Sequence, residues 1–115
     1  MSWRLKEQLK ELLNGEQGYC IYHGGNRTRV ALAYPNSYFV GMSNLGLHIV
    51  YRILNNRMDT ACERCFLPEK RQQDEYIKHK AQLMTVETQS PITSFDIVAF
   101  IMSFEMDYFN ILKML

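Results

Sequence analysis

The sequence predicts one α/β domain in which helices cover both faces of a mostly parallel sheet. Strand-like and helix-like segments alternate from about Arg29 onward, which is typical of parallel strands joined by right-handed crossovers. Residues 30–33 and 97–101 have the near-continuous hydrophobicity of strands buried on both faces. The length of 115 residues suits a single core, because a chain of this size buries roughly two-thirds of its unfolded surface.

The N-terminal part is predicted to form a helix and then a short hairpin. Ser2 is a suitable cap for a helix that runs to about Leu13, with leucines along one stripe and Gly15 after its end. Residues 19–23 are aromatic and β-branched, which favours a strand, and a turn at 24–26 precedes the next strand at 29–34. We therefore divide the chain into an extension, residues 1–28, and a main domain, residues 29–115.

The main domain is predicted to alternate strands and helices to its end. Further strands are expected at 60–66, 84–88 and 97–101, the last being the most strongly buried, and helices at 43–55, 70–82 and 106–115. Residues 35–42 are expected to form a loop, with Ser43 as the cap of the helix that follows. The final helix has no Gly, Asn or Pro stop signal after it, so we expect the sandwich to be truncated at its C-terminus.

Composition argues against several classes of function. The 13 Lys and Arg residues against 12 Asp and Glu residues give a net charge of +1, which offers no bulk attraction for nucleic acid. The longest apolar run, 97–102, is far too short to cross a membrane, and no apolar signal-peptide core follows Met1. Three cysteines do not suggest a secreted disulfide framework, so we expect a cytoplasmic protein.

Four segments together resemble a known protein family. They are YPNSYFVGMSNLG at 34–46, CERCF at 62–66, ETQ at 87–89 with FDIVAF at 95–100, and SFEMDYFNIL at 103–112. In this order they are similar to the N-terminal domain of a group of radical SAM proteins. That domain is Rossmann-like, is similar to cobalamin-binding domains and precedes a radical SAM barrel. The resemblance covers residues 29–115 and implies a three-layer, Rossmann-like or flavodoxin-like sandwich.

The resemblance implies a larger parent protein that holds a [4Fe-4S] cluster on a Cys-x3-Cys-x2-Cys motif and cleaves S-adenosylmethionine. This chain has no such motif, because Cys62 and Cys65 are its only close pair and Cys20 does not complete the spacing. We therefore expect a non-catalytic accessory domain. It would cover the mouth of the barrel of the same parent chain and help to bind substrate or cofactor.

Cobalamin is a further cofactor that the resemblance raises. The cobalt-ligating version of this domain carries Asp-x-His-x-x-Gly after its first strand, and the corresponding residues here are Asn36, Tyr38 and Gly41. A phenol with a pKa near about 10 is a poor ligand at neutral pH, so cobalamin binding here would lack the histidine ligand. The interpretation we favour is that Asn36 and Gly41 build a turn.

Ligand contacts are expected at the carboxyl edge of the sheet, where doubly wound folds bind their ligands. The start of the helix near Ser43 could receive an anion, although Gly41 and Gly46 match neither a Walker loop nor a dinucleotide fingerprint. Glu105 and Asp107 could serve acid–base chemistry, but placement at a helix N-terminus explains them equally well. The candidate cofactor-binding residues are Asn36, Tyr38, Gly41, Ser43, Asn44, Gly46, Ser103 and Glu105.

Three other features each allow a functional and a structural interpretation. Cys62 and Cys65 could bind zinc or form a redox pair, but positions i and i+3 of a strand face opposite sides, so buried small side chains are preferred and no metal site is predicted. Glu63 and Arg64 form either a ligand-edge pair or an ion pair that ties the strand to a loop. Aromatic side chains near the ligand edge either stack on a flat cofactor, dock the barrel or pack in the core: Tyr34, Tyr38, Phe39, Phe104 and Tyr108.

Two other classes of function stay open. The first is a free-standing module that binds a small molecule or a nucleotide, which micromolar binding to the lone chain would support. The second is a structural module that forms a homodimer through an open sheet edge, which ligand-independent dimerisation would support. A Cys-x3-Cys-x2-Cys motif encoded beyond Leu115 would favour the accessory domain over both.

Overall fold

The fold is an open three-stranded sheet, seen in a computed structural model that describes residues 3–22, 26–79, 81–102 and 107–114. The strands are β1 (Thr28–Tyr34), β2 (Thr60–Phe66) and β3 (Ile97–Phe100). All pairings are parallel, and the spatial order is β2-β1-β3. In the register, Val30 of β1 lies between Cys62 of β2 and Ile97 of β3. The α/β class and the parallel sheet that the sequence predicts are therefore confirmed.

Five helices accompany the sheet in the part of the chain that the structure describes. They are α1 (Trp3–Asn14), α2 (Tyr38–Met42), α3 (Leu45–Asn55), α4 (Lys70–Lys78) and α5 (Asp107–Met114), and a 3-10 turn spans Ile92–Ser94. None of these described helices has the length and hydrophobicity that a bilayer-spanning helix requires.

The two faces of the sheet have separate apolar cores. One face packs against α1 and α3; its buried residues are Leu13, Val30, Leu32, Tyr34, Leu47, Tyr51, Cys62, Phe66 and Val86. The other face packs against α5 and the 3-10 turn; its buried residues are Ala31, Ala33, Cys65, Ile92 and Met114. Successive residues of β1 thus alternate between two buried faces. This explains the continuous apolar run at 30–33, since a strand covered on both sides needs no polar face.

The predicted loop at 35–42 contains a helix in its second half. Ser37 caps α2, because its Oγ accepts a hydrogen bond from Val40 N at 3.3 Å. The prediction that Ser43 caps the next helix is also wrong. Ser43 ends α2, with its Oγ donating to Phe39 O at 3.1 Å, and Asn44 caps α3 through Oδ1, which accepts from Leu47 N at 2.9 Å.

The predicted hairpin does not form. Residues 19–22 are not a strand, and 23–25 lie outside the described residues. Both edges of β1 are occupied by parallel partners, so no edge is free to pair with the preceding segment. That segment is instead fastened to α3 by side chains: Tyr51 Oη accepts from Cys20 N at 2.8 Å, and Tyr22 Oη donates to Asn55 O at 2.8 Å.

The predicted strand at 84–88 is not formed either, although these residues lie along the outer edge of β2. Met84 makes an isolated bridge with Pro91, and Val86 N donates to Arg64 O at 2.8 Å. The backbone N–H of Arg64 is bonded by a side chain, where a neighbouring strand would offer a backbone carbonyl. Oε1 of Glu87 accepts from Arg64 N at 2.8 Å, in the place of a strand carbonyl.

Asn55 of α3 hydrogen-bonds to the same edge of β2 two residues earlier, at Cys62. Its Oδ1 accepts from Cys62 N at 2.8 Å, and its Nδ2 donates to Cys62 O at 3.1 Å. The side chain of Asn55 therefore takes both outward-facing backbone groups of Cys62. Side chains from α3 and from residues 84–90 thus occupy backbone groups on this edge of the sheet. These groups are then not available to pair with a strand of another chain.

Two further expectations need correction. β3 is the least buried strand rather than the most buried, with Ile97 50% exposed, because it is an edge strand within the described residues. The helix predicted at 70–82 ends at Lys78. Beyond it, Ala81 N donates to Tyr76 O at 2.8 Å, five residues back instead of four, and Leu83 O accepts from Ile92 N at 3.0 Å.

Replacing Asn55 by Ala should destabilise the fold by about 2–3 kcal/mol, because the buried N–H and C=O of Cys62 would both lose their partner. Asn56→Ala is the matched control, since Asn56 is exposed at the adjacent position. Urea unfolding of the two variants measures the difference. Equal midpoints for both would contradict the role assigned to Asn55.

Candidate functional site

The carboxyl edge of the sheet begins at a turn that joins the ends of β1 and β2. Asn36 organises this turn: its Oδ1 accepts from Ser37 N at 2.7 Å, and its backbone oxygen accepts from Leu67 N at 3.0 Å. Helix α5 reaches the same turn, because Asn110 Nδ2 donates to Pro35 O at 2.9 Å. The ends of two strands and the start of the last helix region are thus held together at one edge, which is where parallel α/β sheets bind ligands.

Tyr38, the residue that stands in the position of a cobalt-ligating histidine, is engaged inside the fold. Its hydroxyl donates a short hydrogen bond to Glu16, and its ring packs edge-on against Phe66 at a centroid distance of 5.2 Å. Burial raises the pKa of Tyr38, and the bond to Glu16 raises it further. A protonated phenol that already donates to a carboxylate does not fit the role of a metal ligand.

Gly41 is required by packing. A Cβ at this position would overlap the ring of Phe66 and would lie 3.1 Å from Cδ1 of Tyr34. The glycine therefore lets α2 approach the ends of β1 and β2 closely. Gly41 therefore does not build the turn that the sequence predicts; it lies inside α2 and is explained by close packing.

The other predicted binding residues that the structure describes act as helix caps or support them. Asn44 holds α3 through Oδ1 and donates from Nδ2 to Tyr34 Oη at 3.2 Å, while Gly46 lies directly behind this cap. Ser103 and Glu105 lie outside the described residues, and Asp107 is buried in the first turn of α5. The structure brings the 36–46 group together at one edge, and a ligand-binding role for these residues stays a prediction.

A buried ion network lies beside this edge and is centred on Arg64 of β2. Nε of Arg64 lies 2.7 Å from Glu87 Oε2, and Nη1 lies 2.8 Å from Glu16 Oε1. All three side chains are buried. Burial lowers the pKa of Arg64, but Glu87 and Glu16 outweigh this effect and raise it overall. The Tyr51 ring covers the guanidinium at 4.6 Å, so the charge is enclosed on several sides.

Glu63 is not part of this network, because it faces the opposite side of the sheet. Its Oε1 accepts from the hydroxyls of Thr85 at 2.7 Å and Thr88 at 2.6 Å. Of the two hypotheses for the Glu63 and Arg64 pair, the structure shows an ion pair that ties β2 to a loop, with Glu87 and Glu16 as the partners of Arg64. Residues 85–90 thereby clamp β2 from both faces.

Sequence reasoning missed Glu16 and Glu87. An arginine in the middle of an otherwise apolar strand is a usable signal, because arginine is almost never fully buried without a carboxylate partner. The sequence offers 12 acidic residues, however, and spacing along the chain does not single out the two that reach Arg64. Which acidic residues become the partners of Arg64 depends on the path that the connecting segments take through the fold.

Two clefts lie on either side of the Tyr38–Glu16 contact. The first, about 320 Å³, is mainly apolar and is lined by Leu5, Leu9, Leu12, Tyr38, Phe66 and Tyr76 among others. The second, about 340 Å³, is polar and is lined by residues that include Glu16, Cys20, His48, Tyr51, Arg52 and Arg64. Both volumes fall at the lower end of the range for small-molecule sites.

The cysteines do not fit an iron–sulfur cluster. Cys62 and Cys65 are buried on opposite faces of the sheet, and all three cysteines are free thiols. Burial raises the pKa of Cys62 to about 12 and also raises that of Cys65. Within the described ranges, no three His, Cys, Asp or Glu side chains are grouped as a metal site would require.

Comparison with known proteins adds one finding to this geometry. A protein-family model described as "Radical SAM proteins, N-terminal" matches residues 46–115. The matched region begins in α3 and includes Arg64 and Glu87, whereas Glu16 precedes it. Neither the curated proteins nor the solved structures gave a significant match.

Gly41→Ala should destabilise the fold by about 1–3 kcal/mol, because the added methyl group overlaps the Phe66 ring and packing there must shift. Gly15→Ala is the control, since a Cβ there meets only Leu12 O, at 3.6 Å. Thermal unfolding followed by circular dichroism compares the two. A Gly41→Ala variant as stable as the parent chain would show that α2 does not pack closely on the strand ends.

Alkylation with iodoacetamide near pH 8 should modify Cys20 in the folded chain and spare Cys62 and Cys65. Cys20 is half-buried, whereas the other two thiols are buried and burial has raised their pKa values. Peptide mass spectrometry identifies the modified residues, and labelling in urea should reach all three. Fast labelling of Cys65 in the folded chain would contradict the burial of β2.

Proposed function

Since this chain belongs to the family of N-terminal domains of radical SAM proteins, we propose that it is an accessory domain of a larger radical SAM protein. In this role it covers the mouth of the barrel of the same parent protein and helps to hold substrate or cofactor there. The family match over residues 46–115 is the observation that carries the proposal.

The thiol chemistry of the chain supports a non-catalytic role. Reductive cleavage of S-adenosylmethionine requires a [4Fe-4S] cluster, which in radical SAM enzymes is held by three closely spaced cysteines. The sequence contains only three cysteines, and Cys62 and Cys65 face opposite sides of β2. The cluster and the bond cleavage therefore belong to the barrel, and this domain contributes surface and binding groups.

An exposed apolar surface supplies a docking face for the barrel. Leu45, Ile49 and Ile53 recur every four residues on α3 and form one exposed stripe. Phe39 and Val40 of α2 are also exposed, so apolar surface continues towards the carboxyl edge. Apolar surface of this kind is typical of protein interfaces. A barrel seated on it would lie next to the ligand edge of the sheet.

Residues 36–46 would then face the barrel from the ligand edge. Substrate or cofactor would contact mainly backbone groups and the exposed parts of Asn36 and Ser43. The side-chain oxygen of Asn44 caps α3 and its nitrogen donates to Tyr34, so Asn44 offers little to a ligand. A cobalamin held at this edge would lack a ligand from Tyr38, because that hydroxyl donates to Glu16.

The isolated chain should neither assemble a [4Fe-4S] cluster nor cleave S-adenosylmethionine. Anaerobic incubation with iron and sulfide, followed by dithionite and S-adenosylmethionine, should leave no cluster absorbance and produce no 5′-deoxyadenosine. The physical reason is that the cysteines cannot converge on one metal cluster. Detection of 5′-deoxyadenosine from the isolated chain would refute the accessory role.

The paired substitution Ile49→Asp and Ile53→Asp should lower 5′-deoxyadenosine production by the barrel-containing parent protein by about tenfold. That is the effect of losing about 1.4 kcal/mol of docking free energy. Both side chains are exposed, so the melting temperature of the isolated chain should hardly change. Met58→Asp, which alters another exposed apolar residue beyond α3, is the control and should leave production unchanged. Full activity of the doubly substituted parent protein would exclude this face as the docking surface.

A further inference from the structure

The apolar cleft of about 320 Å³ lies beyond the carboxyl end of β2, between α1 and α4. Phe66 at the end of β2, together with Met84 and Val86, is buried and forms its floor. Leu9 and Leu12 of α1 line one side of it. Parallel sheets bind ligands beyond the carboxyl ends of their strands, and a cleft of this volume accommodates a small organic molecule.

Four aromatic side chains line this cleft. The ring of Tyr38 packs edge-on against Phe39 and Phe66, with centroid distances of 5.5 and 5.2 Å, and Tyr76 lines the cleft from α4. The hydroxyl of Tyr38 is bonded to Glu16, so this ring is held in place. Aromatic rings pack well against a flat apolar group, and their negative faces attract cations. The lining therefore suits an apolar body and does not repel a positive charge.

Polar side chains of α1 and α4 meet beside the cleft. Nη1 of Arg4 lies 3.5 Å from Oε1 of Glu75, and Nε2 of Gln72 donates to Oε1 of Gln8 at 3.1 Å. Residue numbers rise along α1 while those of the partners fall along α4, so the two helices run antiparallel here. Both of these pairs are complementary, an ion pair followed by a hydrogen bond.

The next pair in this series consists of two carboxylates. One turn further on, the same progression places Glu11 opposite Glu69, and both residues are exposed and line the cleft. Neither side chain has an ion pair or a hydrogen bond within the part of the chain that the structure describes. Two like charges are thus brought together at the mouth of the cleft, where a cation would relieve their repulsion.

The residues that line the cleft do not offset these two carboxylates. Lys, Arg and His are absent from the described residues that line it, and Arg4 is already paired with Glu75. Lys70 and Arg71 follow Glu69 along α4, but neither of them lines the cleft. Glu69 itself stands at the N-terminus of α4, where it offsets the positive end of the helix dipole. The field at the mouth therefore favours a cation over an anion.

We infer that this cleft is a binding site for a small organic cation. The apolar or aromatic body of the ligand lies among the rings and leucines, and its ammonium group lies at the mouth, beside Glu11 and Glu69. The cleft is distinct from the exposed stripe of α3. The inference therefore stands whether or not the accessory role proposed above is correct.

Benzylamine and benzyl alcohol test this inference, because they are nearly equal in shape and only the amine is charged at neutral pH. The chain with ¹³C-labelled Leu and Met methyl groups is titrated with each and followed by NMR. Benzylamine should give saturable shifts of the Leu9, Leu12 and Met84 signals. Benzyl alcohol should bind about fivefold more weakly at low ionic strength, and the difference should shrink with added salt, because both carboxylates are exposed.

Three results of this titration would overturn the inference. They are the absence of a saturable shift with benzylamine, equal affinity for the two compounds at low ionic strength, and saturable shifts confined to methyl groups outside the cleft.

A doubly substituted variant tests the role of the two carboxylates. Glu11→Gln combined with Glu69→Gln removes both charges and keeps the shape of the mouth. Both residues are exposed, so the fold should be retained. Benzylamine should then bind about fivefold more weakly, at the level of benzyl alcohol, whose own affinity should not change.

Glu7→Gln combined with Asp74→Asn is the matched control. It changes the net charge by the same amount at exposed positions of the same two helices, and neither residue lines the cleft. This variant should keep the preference for benzylamine. A preference that survives in the Glu11 and Glu69 variant, or that is lost equally in the control, would overturn the assignment of the cation to this mouth.

Discussion

The burial of one positive charge organises this fold. Arg64 projects from β2 into the layer between the sheet and the helices, where an uncompensated guanidinium would cost several kcal/mol. Its two carboxylate partners come from opposite directions along the chain: Glu16 follows α1, and Glu87 follows α4. Each ion pair therefore adds a polar contact to a connecting segment that also contacts the core through apolar side chains, such as Ile21 and Val86. The Tyr38 hydroxyl adds α2 to the same network through Glu16.

The same network also closes the outer edge of β2. Glu87 uses one carboxylate oxygen on the Arg64 backbone N–H and the other on the side-chain Nε, so one residue acts both as strand partner and as counter-ion. Holding it there requires a tight turn, in which Gln89 adopts a left-handed φ of 53° and donates from its side chain to Val86 O at 2.6 Å. A non-glycine residue in this conformation costs roughly 1–2 kcal/mol, which the ion pair and the hydroxyl bonds to Glu63 offset.

This arrangement separates three kinds of surface. Residues 36–46 lie at the ligand edge of the sheet, the exposed stripe of α3 offers apolar area, and the polar cleft has Arg64 among its lining residues. In the proposed accessory role the first two surfaces face the barrel, and iron–sulfur chemistry belongs to the barrel. Cys62 and Cys65 act as small buried side chains within β2, and Cys20 lies half-buried beside α3.

The sequence by itself determined the parallel α/β class, the bounds of β2, the opposite facing of Cys62 and Cys65, and the family, because periodicity and local motifs are written in neighbouring residues. It did not determine the fate of 19–22 or 84–88, whose composition suits a strand. Whether such a segment pairs depends on which edges are free, and the tertiary structure placed β1 in the centre and closed β2 with Asn55 and Glu87. The partners of Arg64 were likewise decided only by tertiary structure, since a buried charge selects whichever carboxylates the connecting segments bring within reach.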